Sequence, residues 1–288
     1  MTISLQRMHL EEDAGKNVHE GLPDTDKYSY IDLNRAGTPL GEIVTEPDFR
    51  TSWEAFDYVN HVRHALRWVG ASDADMEEGN LRCEANVSVR KVGETEVRNK
   101  VELKNLNSVR FMQKAIEFEI ERQIAAHESG EGVSQETRLW DEKNNQTRVM
   151  RSKEDAHDYR YFPEPDLPPL RLTSDFIEAA KHKMPEMPDT MRVRFMETYQ
   201  LGFTEASQLT QDRDTAEYFE TTARITANPK LAANWILGEL TRELNNSSTA
   251  ISECRITAED LAELIATVES GKVSNNQGKE VLGEMFVS

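Results

Sequence analysis

The sequence of 288 residues lacks the features of membrane and secreted proteins. No apolar run approaches the ~20 residues that a membrane-spanning helix requires, and the first residues do not form a signal peptide. The two cysteines, Cys83 and Cys254, fit neither a metal-binding nor a redox spacing. We therefore expect a protein of the reducing cytoplasm, or of an organelle matrix, with no membrane partner.

Several catalytic motifs are also missing. The sequence contains no G-x-x-x-x-G-K-[ST] loop and no G-x-G-x-x-G, so neither a P-loop nor a Rossmann nucleotide site is indicated. It contains no G-x-S-x-G and no recognisable Cys–His signature, so hydrolytic nucleophile chemistry is unsupported.

The sequence has few basic residues relative to acidic ones. Lys and Arg number 34 against 52 Asp and Glu, which gives a formal net charge of −18. This balance argues against broad nonspecific binding of nucleic acid. A local basic patch or a partner subunit could still contact a nucleic acid, and the simpler interpretation is that excess acid keeps the protein soluble.

The composition that is present, 38% hydrophobic and 30% charged, predicts a globular protein long enough for two domains. The proline-rich stretch Phe162–Pro169 can be neither helix nor central strand and is interpreted as an extended connector. We predict an α+β catalytic domain with a largely antiparallel sheet in residues 1–170. A helical domain is predicted in residues 171–288.

Hydrophobic periodicity locates the main elements. Strict alternation over Leu81–Arg90 predicts a half-buried strand that pairs with Val97–Leu103, and a second hairpin is predicted around Asn144 and Asn145. One helix should run from Trp53 to Val69 and stop at Gly70. A second helix is predicted between Ser108 and Gly130, with the core stripe Met112, Ile116, Ile120 and Ile124. Further helices are predicted over 173–183, 189–199, 203–208, 213–222, 230–245 and 258–269.

The predicted hairpin carries the most informative polar pattern. Its outward face combines carboxylates, amides and cations: Arg82, Glu84, Asn86, Ser88, Arg90, Glu102, Lys104 and Asn105. Carboxylates are ligands for Mg²⁺, and cations neutralise phosphate oxygens, so this mixture suits a site for a divalent cation and a polyphosphate. A salt-bridged solvent face is an equally open interpretation.

Acidic and basic runs add weaker candidates. His9, Glu11, Glu12 and Asp13 form one acidic run, Glu42 and Glu46 lie in a second, and Asp75, Glu77 and Glu78 form a third. A metal would explain them, but acidic loops are commonly just solvated. Arg151, Lys153 and Arg160 lie near Tyr and Phe residues and could contact phosphate or the 3′ end of a nucleic acid, or could be plain surface charges.

Eight motifs in order identify a family resemblance. They include His9-Leu10-Glu11-Glu12-Asp13, Glu42-Ile43-Val44-Thr45-Glu46-Pro47-Asp48, Glu102-Leu103-Lys104-Asn105, Gln135-Glu136-Thr137-Arg138 and Tyr161-Phe162-Pro163-Glu164-Pro165-Asp166. In this series the chain resembles the B subunits of the bacterial-type aspartyl/glutamyl-tRNA amidotransferases. The resemblance runs over ~160 residues and is more specific than any single motif.

The resemblance implies a ligase that acts in translation. Such a protein uses ATP and Mg²⁺ to phosphorylate the side-chain carboxylate of mischarged Glu-tRNA(Gln) or Asp-tRNA(Asn). Ammonia from a glutaminase A subunit then displaces the phosphate, and a small C subunit completes a heterotrimer. The fold implied for the catalytic domain is cradle-like, or kinase-like in function. Which of the two tRNAs is preferred is not decided by the sequence.

Roles for individual residues follow from the same resemblance. Glu12 and Glu42 match the carboxylates on the Mg²⁺ side. Glu84, Glu102 and Lys104 match catalytic positions in the pocket. The positions expected to bind ATP or the substrate are Arg82, Asn86, Asn105, Arg151, Lys153 and Arg160.

The chain also departs from the family pattern. The N-terminal strand with a Glu-Val-His motif is absent, and residues 171–288 run only into the start of the C-terminal tail domain that grips the tRNA body in the family. The Glu20–Tyr30 segment is longer than usual, and Val92–Asn99 is unusual in sequence. We therefore expect an incomplete subunit. Two alternatives stay open, namely an inactive scaffold that binds the A and C subunits and an unrelated acidic metal-dependent phosphotransferase.

Overall fold

The computed structural model describes residues 2–18, 21, 23–24, 27–96, 98–152 and 170–287, with only the backbone described at Arg151 and Ser152. Lys153, Arg160 and the connector Phe162–Pro169 lie outside these residues. Contacts divide the chain into two compact units, Met1–Phe56 and Asp57–Ser288. The predicted domain boundary near residue 170 adjoins the residues that are not described, and it stays a prediction.

The first unit is built from two small antiparallel pairs. Strands β1 (Leu5–Glu12) and β4 (Pro39–Thr45) form one pair, and β2 (Lys16–Val18) and β3 (Tyr30–Asp32) form the other. A salt bridge of 2.8 Å between Arg35 and Asp13 lies in the turn region between these strands. Helix α1 (Ser52–Trp68) begins at the end of this unit and continues into the second.

The second unit opens with a four-stranded sheet in the order β5-β6-β7-β8. Its strands are β5 (Ala85–Val87), β6 (Val101–Lys104), β7 (Glu136–Asp141) and β8 (Gln146–Ser152). The β6–β7 pair is parallel and the other two pairs are antiparallel. Helix α2 (Val109–Ser129) makes the crossover that a parallel pair requires. Mixed α and β structure with small sheets is therefore confirmed.

The first predicted hairpin is shorter than its alternation suggested. Only Ala85–Val87 and Val101–Lys104 form ladder hydrogen bonds, although burial alternates along the whole of Leu81–Arg90. The prediction of a strand over all of Leu81–Arg90 was wrong. Alternating burial requires only an extended backbone, and it does not require hydrogen bonds to a neighbouring strand. The second hairpin is confirmed, and Asn145 at its turn has φ 48°.

Helix α2 has its predicted ends but a different buried face. The Ser108 side chain accepts a hydrogen bond from the Phe111 backbone N–H, and Gly130 ends the helix with φ 82°. Met112 and Ile116 are buried as predicted, whereas Ile124 is 45% exposed. The buried face continues instead through Glu119 and Gln123, both fully buried, because polar and charged partners lie there on the sheet.

The C-terminal part is all helical, as predicted. Its helices are α3 (Ser174–Lys183), α4 (Pro188–Tyr199), α5 (Phe203–Leu209), α6 (Arg213–Thr226), α7 (Pro229–Trp235), α8 (Thr241–Ser247), α9 (Ala258–Glu269) and α10 (Asn275–Val287). Helix α10 was not predicted. A π-helical turn, Ile236–Leu240, joins α7 to α8 where one helix was predicted. Thr257 caps the start of α9, because its side chain and backbone exchange hydrogen bonds with Asp260.

One apolar core holds these helices together. Phe195, Phe219, Trp235, Leu261 and Leu282 are among its buried members. Trp68 at the end of α1 belongs to the same core and donates its Nε1–H to the Glu186 carbonyl at 2.8 Å. None of the described helices is long and apolar enough to cross a bilayer.

Candidate functional site

The first unit gathers three candidate metal ligands on one face of the β1–β4 pair. His9 lies opposite Glu42 in the register, and strand alternation places Glu11 on the same face as His9. One ligand atom from each of these residues lies within 4.8 Å of the others. Among the described residues, no other group of three His, Cys, Asp or Glu side chains meets this spacing.

The cluster differs in part from the sequence-based assignment. It contains Glu42, but Glu12 is not in it, because alternation directs Glu12 to the opposite face with Leu10. The spacing of His9 and Glu11, two residues apart in one strand, was the signal that could have found both. Arg7 Nη2 lies 3.3 Å from Glu42 Oε1 and would compete with a bound cation for that oxygen.

The donor chemistry of the cluster fits Mg²⁺. Two carboxylates supply the oxygen ligands that this ion prefers, and Mg²⁺ usually keeps several waters instead of taking a complete set of protein ligands. His9 adds a nitrogen, a ligand that also suits other divalent metals. The carboxylates remain at least partly exposed, so water and a phosphate group can approach the same face.

The second unit displays the predicted polar face. Arg82, Glu84, Asn86, Ser88 and Arg90 are exposed, while Val87 is buried between them. On the paired strand, Val101 and Leu103 are fully buried and the residues between and after them point to the polar side. The predicted division of this hairpin into an apolar and a polar face is confirmed.

Three of the predicted catalytic side chains meet on this face. Lys104 Nζ lies 2.7 Å from Glu84 Oε1 and 3.6 Å from Glu102 Oε1. The Glu102 carboxylate also accepts a hydrogen bond of 2.8 Å from the Thr137 hydroxyl. The Lys104 ammonium is thus shared by two carboxylates. When a polyanion binds, the ammonium can exchange one of these carboxylates for an oxygen of the polyanion.

The remaining predicted binding residues differ in their locations and contacts. Asn105 has φ 62°, and its side-chain amide donates to the Trp140 carbonyl at 3.0 Å, so this amide fixes the end of β6. Asn86 lies opposite Glu102 in the sheet, and Arg82 is exposed before β5. The backbone of Arg151 pairs with Thr137. Lys153 and Arg160 lie outside the described residues, and their roles stay predictions.

Two further sequence candidates have structural explanations. Asp75 Oδ1 accepts backbone N–H groups from Glu77 at 2.8 Å and Glu78 at 3.2 Å, and these hydrogen bonds lower the pKa of Asp75. The third acidic run therefore forms a turn. Burial raises the pKa of the Cys83 thiol to about 12, which keeps it protonated at neutral pH and unsuited to nucleophilic catalysis.

Comparisons with known proteins match the sequence of this chain to a family. The sequence model for the GatB/GatE catalytic domain matches residues 1–178. The chain belongs to the GatB/GatE family. A second family model, the GatB domain, matches residues 217–288, which include the helices from the middle of α6 onward.

Curated relatives of this GatB/GatE chain are similar along nearly all of it. The B subunit of the aspartyl/glutamyl-tRNA(Asn/Gln) amidotransferase of Thermodesulfovibrio yellowstonii is 49% identical over 284 residues, covering 99% of the chain and 59% of the relative. The proteins of the same name from Persephonella marina and Crocosphaera subtropica are each 48% identical over 99% of the chain, covering 59% and 58% of their own lengths. The chain thus spans about three-fifths of the relatives that it matches.

Proposed function

We propose that this chain activates the side-chain carboxylate of Glu-tRNA(Gln) or Asp-tRNA(Asn) with ATP, so that ammonia can convert it to the amide. The observation that carries the proposal is the arrangement of Lys104 between Glu84 and Glu102 on the polar face of the sheet. The family membership and the names of the relatives support it.

The reaction needs charge neutralisation more than a protein nucleophile. A carboxylate oxygen of the substrate attacks the γ-phosphorus of ATP, and the bond to ADP breaks. Ammonia then attacks the acyl carbon, and inorganic phosphate leaves with that oxygen. Both steps place negative charge on phosphoryl oxygens, which a positioned cation such as Lys104 stabilises.

The carboxylates on the same face have a complementary task. Before substrate arrives, Glu84 and Glu102 hold the Lys104 ammonium through the short contacts described above. When a phosphate displaces one of them, the other keeps the ammonium oriented. A carboxylate that is freed in this way can accept a proton from the attacking ammonia, as general bases do.

His9, Glu11 and Glu42 are proposed to hold the Mg²⁺ of this reaction. When bound, the ion supplies Lewis-acid neutralisation of phosphate oxygens. The protein's own contribution is to direct two carboxylates and one imidazole from a single strand pair toward one point. Glu12, assigned to the metal from the sequence, is proposed to lie outside this set.

The proposed partner subunits supply the ammonia that the reaction needs. Partial burial raises the pKa of the Cys83 thiol and the sequence carries no hydrolytic motif, so we propose that ammonia comes from another polypeptide. A glutaminase A subunit and a small C subunit are the proposed partners in a heterotrimer. Residues 1–170 would form the cradle-like catalytic domain, and residues 171–288 would form the helical domain that runs into the start of the tRNA-binding tail.

Replacing Lys104 with methionine tests this function. In a complex of this chain with the A and C subunits, K104M should lower ATP-dependent formation of Gln-tRNA or Asn-tRNA about 100-fold, because one phosphate-stabilising cation is lost. Lys91, an exposed lysine in the loop between β5 and β6, provides the matched control, and K91M should retain full activity. Equal activity of the two variants would refute the assignment, whereas an assembled wild-type complex without activity would favour the scaffold alternative.

A further inference from the structure

We propose that Thr137 is a positioning residue whose buried hydroxyl orients the Glu102 carboxylate beside Lys104. The inference rests on the proposed function and extends it to a residue that sequence reasoning gave no role. Thr137 belongs to the motif Gln135-Glu136-Thr137-Arg138, which contributed to the family resemblance without any chemistry attached to it.

The sheet register brings Thr137 to the catalytic face. Asn86 of β5 lies opposite Glu102 of β6, and Glu102 lies opposite Thr137 of β7. Residues that lie opposite each other on adjacent strands of one sheet share a face. The backbone of Arg151 on β8 completes the row. One row across four strands therefore includes three residues that the sequence had assigned to the site.

A gradient of exposure separates Thr137 from the residues that can touch substrate. The Glu84 side chain is 49% exposed, Lys104 28% and Glu102 18%. Thr137 is 0% exposed. A substrate can therefore reach the first three side chains but not Thr137, which must act through Glu102.

One hydrogen bond and one ion pair engage the two oxygens of Glu102. Thr137 Oγ1 donates to Oε2 at 2.8 Å, and Lys104 Nζ lies 3.6 Å from Oε1. If the carboxylate turned away, a fully buried hydroxyl would lose its acceptor, which costs free energy. The hydroxyl therefore favours one orientation of Glu102 whether or not Lys104 is engaged by a phosphate.

The other members of the motif serve the opposite face. Arg138 Nη1 lies 2.8 Å from Glu136 Oε1, and Arg138 Nε donates to the Thr147 hydroxyl at 2.7 Å. Strand alternation directs these two charged residues toward α2 and Thr137 toward the catalytic face. Valine would suit a buried strand position as well as threonine, so packing alone does not explain the hydroxyl.

Two substitutions separate a positioning role from a structural one. Thr137→Val keeps the branched shape and removes the hydroxyl, whereas Thr137→Ser keeps the hydroxyl and removes a methyl group from a buried site. A positioning role predicts that T137V lowers kcat for amide formation about tenfold, with little change in the KM values for ATP and tRNA. T137S should restore kcat to within about threefold of wild type while unfolding more easily.

A spectroscopic measurement on the 288-residue chain makes the test independent of activity. With ¹³C in the glutamate carboxyl carbons, the Glu102 resonance is assigned by its loss in E102Q. It should shift in T137V and return to its wild-type position in T137S. An unchanged resonance in T137V, or full activity of T137V in the complex, would overturn the proposal. A shifted resonance together with full activity of E102Q would instead refute the proposed function of the site.

Discussion

Replacing Glu11 with glutamine is expected to lower amide formation about 1,000-fold, and replacing Glu42 should do the same. Each change removes one of the two carboxylates that the β1–β4 pair directs at the same point as His9. Loss of a ligand that neutralises phosphoryl charge is worth several kcal/mol, which corresponds to this rate effect. Glu12→Gln, one residue further along β1, should cost less than about threefold, because its side chain lies on the other face.

Metal binding by the same variants can be followed without catalysis. Mn²⁺ is a paramagnetic substitute for Mg²⁺, and in the wild-type chain it should broaden the His9 ring resonances at substoichiometric concentration. The broadening should persist in E12Q and require much more Mn²⁺ in E11Q. If E12Q were the variant that lost binding, the cluster deduced from the strand register would be wrong and the sequence-based assignment of Glu12 correct.

Replacing Glu119 with alanine should lower the free energy of unfolding by about 3–5 kcal/mol. Glu119 is fully buried, and its carboxylate accepts hydrogen bonds from Arg122 at 2.6 Å and Gln123 at 2.8 Å. Arg138 Nε lies 3.8 Å from the same carboxylate. Without Glu119, the Arg122, Gln123 and Arg138 side chains would each lose a hydrogen-bond or ion-pair partner in the interface of α2 and the sheet. Losing the acceptor of a buried donor costs free energy.

The matched control lies two residues along the same helix. Glu121 is exposed, so E121A should change stability by no more than about 0.5 kcal/mol. Urea unfolding of both variants, followed by circular dichroism, measures the difference. Equal stability of E119A and E121A would show that the buried network does not hold the helix on the sheet.

The elements of the fold were predictable where local chemistry decides them. Ser108 and Gly130 marked the ends of α2 because caps depend on a few neighbouring backbone groups. The buried face of α2 was not predictable, since Glu119 and Gln123 are buried only because Arg138 and the Val87 carbonyl meet them from distant strands. The π-helical turn at Ile236–Leu240 likewise had no local signal, as its flanks are ordinary helix formers.

The sequence was enough to predict which residues form the polar face of the site, but not how the site residues are arranged in space. Alternation alone gave the polar face with Glu84, Glu102 and Lys104, because period-two burial is a property of one strand. The choice between Glu11 and Glu12 needed the antiparallel register of β1 with β4. The role of Thr137 needed the parallel pairing of β6 with β7, which joins residues separated by the whole of α2.

The proposed transfer of the γ-phosphoryl group of ATP to the substrate carboxylate can be followed with an isotope. Glu-tRNA(Gln) labelled with ¹⁸O in its side-chain carboxylate is converted by the complex that contains this chain. We expect each amide formed to release inorganic phosphate carrying one ¹⁸O atom. Amide formation with unlabelled phosphate would contradict the proposed transfer, because ATP would then be hydrolysed without activating the carboxylate.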